Sequence, residues 1–354
     1  MLNPYLNNIS FTEREYKRYT RNLKLSSIGI HGQKRLKTAQ VLCVGIGGLG
    51  SVCLLYLVAS GIENIGIIDK DVVNISNLQR QIIYKTADVT YKKVKCVKKS
   101  LEDINPECKI HIYYEFLNEY NSKYIIPKYD IIIDGTDNWK SKEIISNTCR
   151  IFNKPHIYGA IGGFIGQISV FNYQSGPTYR DLYLQHILST TEDCSTNGVL
   201  GVLPGIIGTL QATEVIKIIT GMDSVLSGYL LIYNILNTSF KKIRLRKIIS
   251  STNINNLPYT NLKYTLSFKQ SQYRNNTKVL LVDVRKSHEY QLNHIENSIN
   301  IPLRLLKYQH ILSFLTSQSY TKTIYIYCNH NSQSTAALSL LLKNGITCYK
   351  FLAK

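Results

Sequence analysis

Hydrophobic positions along this chain fall into short unbroken runs divided by stretches of helical spacing, not into strict alternation. Residues 41–44, 65–68 and 130–134 are apolar runs of strand length, and such runs suit parallel strands covered on both faces. Between them, 49–59 and 94–104 have helical spacing, and 110–114 is a further strand. Residues 167–173 alternate imperfectly, a strand of an appended mixed portion of the sheet. A helix is expected over 204–220, stopped by Gly221, then strands at 229–233 and 239–245. Ser10-x-x-Glu13 reads as a capping box opening a short basic helix through Arg21. The polar stretch 174–201 is a long crossover, and crossovers of that length in compact domains are functional or disordered.

A Ser/Asn-rich break begins at Lys247. The expected organisation is therefore a Rossmann-like, mostly parallel sheet domain over 1–246, a linker over 247–261, and a small α/β domain over 262–354. In the latter, strands fall at 279–282 and 324–327 and a helix at 334–343.

Composition narrows the class. The chain has 354 residues, 44% hydrophobic and 18% charged, which excludes a disordered polymer and gives each of two domains a core. Lys+Arg total 42 against 23 Asp+Glu, a net charge of +19. Residues 251–354 carry 12 against 3, so their +9 is about twice as dense as the +10 of residues 1–250. Such a charge favours anionic partners without choosing among them, and drift in an AT-rich genome would produce the same excess of Lys, Tyr, Ile and Asn. No nucleic-acid-binding motif accompanies it, which leaves nucleic acid a minor option.

The uncharged run 41–62 has the length of a membrane span, but its glycines favour a strand, a loop and a core helix. No membrane association is expected. The eight cysteines contain no C-x-x-C pair, and no import signal is evident. Reduced thiols in a cytosol-like compartment are expected: a bacterial cytoplasm, or the plastid stroma for an organelle-encoded protein.

Candidate chemistry begins at Gly45-x-Gly47-Gly48-x-Gly50, between a strand and a helix, where small residues let the backbone approach phosphate. Asp69, at the end of the next strand, is placed to accept from ribose hydroxyls. These features do not separate a nicotinamide cofactor from ATP. Downstream stand Asp71, then Ser76-Asn77-Leu78-Gln79-Arg80-Gln81, then Lys93, then Asp137-Asn138. A dehydrogenase has no need of an Arg and a Lys after its ribose acid. A phosphate-transferring site needs cations over the phosphates and a carboxylate for magnesium.

Together with Arg18-Tyr19-x-Arg21, these motifs resemble the MoeB/ThiF/HesA adenylyltransferases, relatives of the ubiquitin-activating enzymes, from about residue 18 to 245. The resemblance implies ATP-dependent adenylation of the C-terminal glycine carboxylate of a ubiquitin-like sulfur carrier protein, of the molybdopterin-synthase small-subunit type. Carriers for thiamine synthesis or tRNA thiolation, or a non-catalytic carrier-docking role, are the alternatives. It further implies that Gly48, Asp69, Ser76 to Arg80, Lys93, Asp137 and Asn138 contact ATP, with Asp137 near Mg2+. Arg21 would be an arginine finger reaching a partner protomer's site, hence a homodimer. Cys194 matches the family's crossover cysteine, which takes the acyl group as a thioester or joins persulfide exchange. The family's two zinc-binding C-x-x-C pairs are missing, at Thr178-Tyr179-Arg180-Asp181 and after Arg246, so no structural zinc is expected.

In the second domain, Leu281-Val-Asp283-Val-Arg285 and His294-Ile295-x-x-Ser298-Ile299-Asn300-Ile301-Pro302 resemble a rhodanese. That implies a persulfide-forming Cys328 and a sulfur donor such as a cysteine desulfurase. The loop departs from the family in carrying Gln333 where an arginine is usual, and the chain ends before the family's last helix.

Overall fold

A computed structural model describes residues 6–184, 198–247, 278–328, 334, 337–338, 340–342 and 344–352. Contacts divide the chain into two units, Met1–Ile249 and Ser250–Lys354.

In the first unit the apolar runs become β1 (Gln40–Val44), β2 (Asn64–Ile68), β3 (Lys109–Tyr113) and β4 (Ile131–Asp134). With β5 (His156–Gly162), β6 (Ile165–Phe171), β7 (Tyr229–Asn234) and β8 (Ser239–Arg244) they form one sheet in the order β3-β2-β1-β4-β5-β6-β7-β8. Pairing is parallel from β3 to β5 and antiparallel from β5 to β8. Reversal comes at a tight turn that Gly163 makes at φ +56°. This is the expected mostly parallel sheet with a mixed extension.

Helix α4 (Gly48–Ala59) connects β1 to β2, and α5 (Lys93–Ile104) leads into β3. Both bury an apolar face against the sheet, in a core that includes Leu54, Leu57, Val94, Val97 and Leu101. Ahead of them lie α1 (Glu13–Arg18), α2 (Thr20–Leu23) and α3 (Gly29–Thr38). The capping box is shifted from its expected place. Thr12, not Ser10, is the cap: its hydroxyl accepts from the Glu15 amide at 3.2 Å, and the Glu15 carboxylate accepts from the Thr12 amide at 2.7 Å. Glu15 prevails over Glu13 because its carboxylate also pairs with Lys37, whereas Glu13 faces solvent beside Lys17.

Further along come α6 (Ser122–Ile125), α7 (Trp139–Ile151), α8 (Tyr179–Leu184) and α9 (Val202–Thr220). Among the described helices only α9 is long and apolar enough to cross a membrane. Its apolarity is accounted for by packing: Leu203, Ile207, Val215, Ile218 and Ile219 are buried in the core shared with α4. Backbones come close there, since a Cβ at Gly208 would stand 2.6 Å from the Leu49 carbonyl oxygen.

The second unit is a four-stranded parallel sheet in the order β10-β9-β11-β12, from β9 (Val279–Asp283), β10 (Ser298–Asn300), β11 (Thr323–Cys328) and β12 (Cys348–Leu352). Helices α10 (Ser287–Leu292) and α11 (Gln309–Ser319) join its strands, and the described residues of 334–343 are helical. Leu280, Val282, Ile324, Ile326, Leu338 and Leu341 make its core. Lys247 belongs to the first unit, where its amine donates to the Ser175 carbonyl at 3.1 Å. The rest of the expected linker lies outside the described residues.

Candidate active site

The C-terminal ends of β1, β2 and β4 bring the predicted nucleotide residues to one edge of the sheet. Gly45 leaves β1 at φ +81°, a conformation glycine adopts without strain, and its amide donates to the Ile68 carbonyl at 2.9 Å. The loop is closed from both sides. A Cβ at Gly50 would stand 2.1 Å from the Gly45 oxygen, and one at Gly135, beyond β4, would stand 2.3 Å from the same atom. The loop thus lies directly beside Gly135-Thr136-Asp137. Behind it α4 presents its first, unpaired amides, a seat for anionic oxygen. Gly47 faces open space, with only the Gln81 amide nitrogen within reach, 3.6 Å from where a Cβ would be. Gly50→Ala is expected to force the loop apart and destabilise the fold by about 1–3 kcal/mol, as overpacking does. A thermal unfolding midpoint equal to that of the unsubstituted chain would show the loop to be less constrained than these contacts imply.

Asp69 is anchored at the mouth of this loop. Its carboxylate accepts from the Ile46 amide at 3.0 Å and the Asp71 amide at 2.8 Å, which orients it towards the glycines. Burial pushes its carboxyl above the usual range, while Lys93 and the two amides pull the other way. Lys93 opens α5 with its side chain buried, and its ammonium pairs with Asp71 at 2.8 Å. Two carboxylates and one cation are therefore held in a single cluster.

Arg80 follows a 3₁₀ turn over Ile75–Asn77. Asn74 caps that turn, accepting from the Ser76 amide at 2.9 Å and the Ser76 hydroxyl at 2.8 Å, and Asn77 accepts from the Asn74 amide at 3.2 Å. The polar side chains of Ser76 and Asn77, expected to contact ATP, also build the turn. Leu78 packs against the core, and the Gln79 carbonyl oxygen would be 2.3 Å from a Cβ on Gly201. Arg80 itself is half-buried, steadied by a bond from its guanidinium to the Ser76 carbonyl at 3.1 Å, and its own carbonyl lies against Gly48. Asp137 is exposed at the end of β4, and Asn138 caps α7 by accepting from the Ser141 amide at 2.9 Å.

Sequence reading missed the scaffold under these residues. The Tyr84 hydroxyl donates to the Ile46 carbonyl at 2.7 Å and ties the glycine loop from beneath. Fully buried Asp134 accepts from Thr136, from Lys142 at 3.1 Å and from His156 at 3.2 Å, and Lys142 also donates to the Gly159 carbonyl at 2.8 Å. Gln211 of α9 donates to the Asp134 carbonyl at 2.8 Å. An acid ending an apolar strand was the one signal available.

Arg21 does not join this edge. It lies on α2, exposed, and among the described residues it has no hydrogen-bond or ion-pair partner. Cys194 lies outside the described residues. Cys328 is the last residue of β11 and fully buried, with 329–333 outside the described residues. Nearby, Arg285 forks onto Asp283 at 2.6 Å and donates to the Asn293 carbonyl.

Where the sequence lacks zinc-binding pairs, ordinary packing is found. The Thr178 amide and hydroxyl both donate to Asp181, at 2.7 and 2.9 Å, opening α8. Tyr179 and Leu182 then enter a cluster with Tyr158, Phe171, Leu230 and Leu245, so residues beside both of these positions share one apolar core. Among the described residues no group of three or more His, Cys, Asp or Glu side chains is placed to hold a metal.

Residues 19–251 match the ThiF family and residues 268–353 the rhodanese-like domain. A protein of Gracilaria tenuistipitata var. liui named probable molybdopterin-synthase adenylyltransferase is 45% identical, over 97% of this chain and 98% of its own. A Mycobacterium tuberculosis protein named probable adenylyltransferase/sulfurtransferase MoeZ is 34% identical over 96% and 91%. The crystal structure of E. coli MccB with ATP shares the fold, with a TM-score of 0.58 and 24% identity over 66% of this chain and 73% of that one.

Proposed function

Because this chain belongs to the ThiF family and carries a rhodanese-like domain behind it, we propose that it is an adenylyltransferase that activates a ubiquitin-like sulfur carrier with ATP, for molybdenum cofactor synthesis. The observation that carries this reading is the gathering of the α4 amides, Arg80, Lys93, Asp69 and Asp71 at one edge of the sheet.

The carrier's C-terminal carboxylate attacks the α-phosphate of ATP. A carboxyl-phosphate bond forms, the bond to the β-phosphate breaks, and pyrophosphate leaves with its electron pair, giving acyl-adenylate. Asp69 accepts from the ribose, the loop amides and Arg80 take the phosphate charge, and Lys93 turns from Asp71 to the phosphates as they arrive. Asp137, exposed beside the glycine loop, is the carboxylate suited to hold Mg2+, which when bound would offset charge on the phosphates. No zinc enters this reading: the Thr178–Asp181 cap and the Tyr158–Phe171–Tyr179 cluster supply the stiffness.

The active species is a homodimer, with Arg21 serving the partner's site. Sulfur comes from a donor such as a cysteine desulfurase, with Cys328 as its acceptor. Cys43, Cys53, Cys108, Cys149 and Cys348, buried thiols, suit a reducing compartment such as a bacterial cytoplasm or plastid stroma.

Carrier-dependent exchange of labelled pyrophosphate into ATP tests the function. Exchange is expected with the molybdopterin-type carrier, and its absence with each of the molybdopterin, thiamine and tRNA-thiolation carriers would refute the reading. Cys194→Ala is expected to leave exchange within about twofold, because a thioester forms only after adenylation. Loss of exchange in that variant would place Cys194 in the adenylation step instead.

A further inference from the structure

Arg21 stands on a helix of four residues, too short to hold its own shape, yet its neighbours are fixed with unusual care. Tyr19 is 3% exposed, and its ring lies against the turn at Gly61, where an added Cβ would be 2.8 Å away. The Tyr19 hydroxyl accepts from the Asn105 side-chain amide at 3.0 Å, and that amide also donates to the Val58 carbonyl at 3.1 Å. Asn22 donates to Gln33 at 3.2 Å, and Gln33 donates to the Ser60 carbonyl at 2.8 Å. Arg18 donates to the Ile104 carbonyl at 2.9 Å. Asn105 and Gln33 are both fully buried. The carbonyls that Asn105 and Gln33 reach lie at the C-terminal end of α4, and the one that Arg18 reaches ends α5, places where helices leave acceptors short of partners. Residues 18, 19 and 22 are thus all tied down around one arginine that is left exposed.

Those anchors sit at the N-terminal edge of the sheet, opposite the glycine loop. Twelve residues of α4 separate the two edges, about 18 Å at the usual helical rise. That is farther than an arginine side chain extends, so the seat cannot serve its own chain's loop.

We propose that Tyr19, Asn22 and Asn105 are positioning residues that hold Arg21 for the nucleotide site of a second copy of this chain. The inference rests on the adenylyltransferase reading and on Arg21 acting across the dimer. An arginine that must meet charge developing on the α-phosphate loses its effect when misplaced by an ångström, which gives a rigid seat its purpose.

Exchange by the unsubstituted chain is established first, which separates failure of the functional reading from failure of this one. Asn105→Leu is expected to lower kcat of carrier-dependent pyrophosphate exchange about a hundredfold, with KM for ATP unchanged. Tyr19→Phe, which keeps the ring, and Asn22→Ala lower kcat less and guard against a folding defect in the buried variant. Differently tagged chains are then co-expressed and the mixed dimers purified. Arg21→Ala paired with Arg80→Ala should regain activity, up to about half that of the unsubstituted dimer, since one of two sites is intact. Asn105→Leu should be rescued in the same way by Arg80→Ala and not by Arg21→Ala. Rescue by Arg21→Ala would place the Asn105 effect in its own chain's site and overturn the proposal. So would unchanged kcat in all three variants, or failure of the Arg21→Ala and Arg80→Ala chains to complement each other.

Discussion

Arg80→Ala is expected to reduce carrier-dependent pyrophosphate exchange by about a hundred- to a thousandfold in kcat, the scale on which removing one preorganised charge-stabilising donor acts. Arg80 is half-buried, its backbone rests against Gly48, and its guanidinium is braced by the Ser76 carbonyl. The orientation of its charge is therefore fixed before substrate arrives. Arg80→Lys keeps the charge but loses the planar fork, and should recover only part of the rate. Nothing in the core depends on the guanidinium, so the unfolding midpoint should barely move. Exchange retained within tenfold in Arg80→Ala would remove this residue from the phosphate site and weaken the adenylyltransferase reading with it.

Asp134→Ala is expected to destabilise the first unit by about 3–5 kcal/mol, because it strands the buried Lys142 ammonium against little more than the Gly159 carbonyl. Urea unfolding measures this directly. Replacing both partners, as in Asp134→Leu with Lys142→Met, should cost far less than the single change, since no buried charge is left uncompensated. A single-variant loss below about 1 kcal/mol would show that Lys142 escapes to solvent.

The same network sets a pH dependence. Burial alone would raise the Asp134 carboxyl, but Lys142, His156 and Thr136 together hold it down at about 2 from an ordinary 3.8. A carboxyl lowered in the folded state binds its proton more readily when unfolded. Its contribution is therefore complete above about pH 4 and is lost as pH falls towards 2. In Asp134→Asn that acid-sensitive portion should vanish from the stability curve.

The apolar strands and the helices that follow them were legible because β1, β2 and β4 are covered on both faces and carry no polar interruption. β5 and α7 escaped notice for a physical reason. His156, Gly159 and Lys142 break the apolar pattern, yet His156 and Lys142 are inside because Asp134 meets them, and Gly159 leaves room for Gln211, whose amide nitrogen would be 2.6 Å from a Cβ there. Polar residues that bury by pairing with one another leave no hydrophobic period to read. That Asp69, Asp71 and Lys93 gather beside the glycine loop was readable as a set, since a glycine loop, a strand-end acid and the following cations stand in a fixed order along the chain. Ser76 and Asn77 show what the motif leaves unsaid: their side chains also build the Asn74 turn that presents Arg80.

By itself, then, the sequence determined the parallel α/β sheet, the second small domain and the family, because each is written in local order, in apolar runs or glycine spacing that neighbours along the chain enforce. Only the tertiary structure decided that Thr12 caps the first helix, that Asp134, Lys142 and His156 form one buried network, and that the helix bearing Arg21 lies at the edge opposite its own glycine loop. These depend on which distant residues meet, and burial and charge compensation between elements far apart in the chain leave no mark on its period.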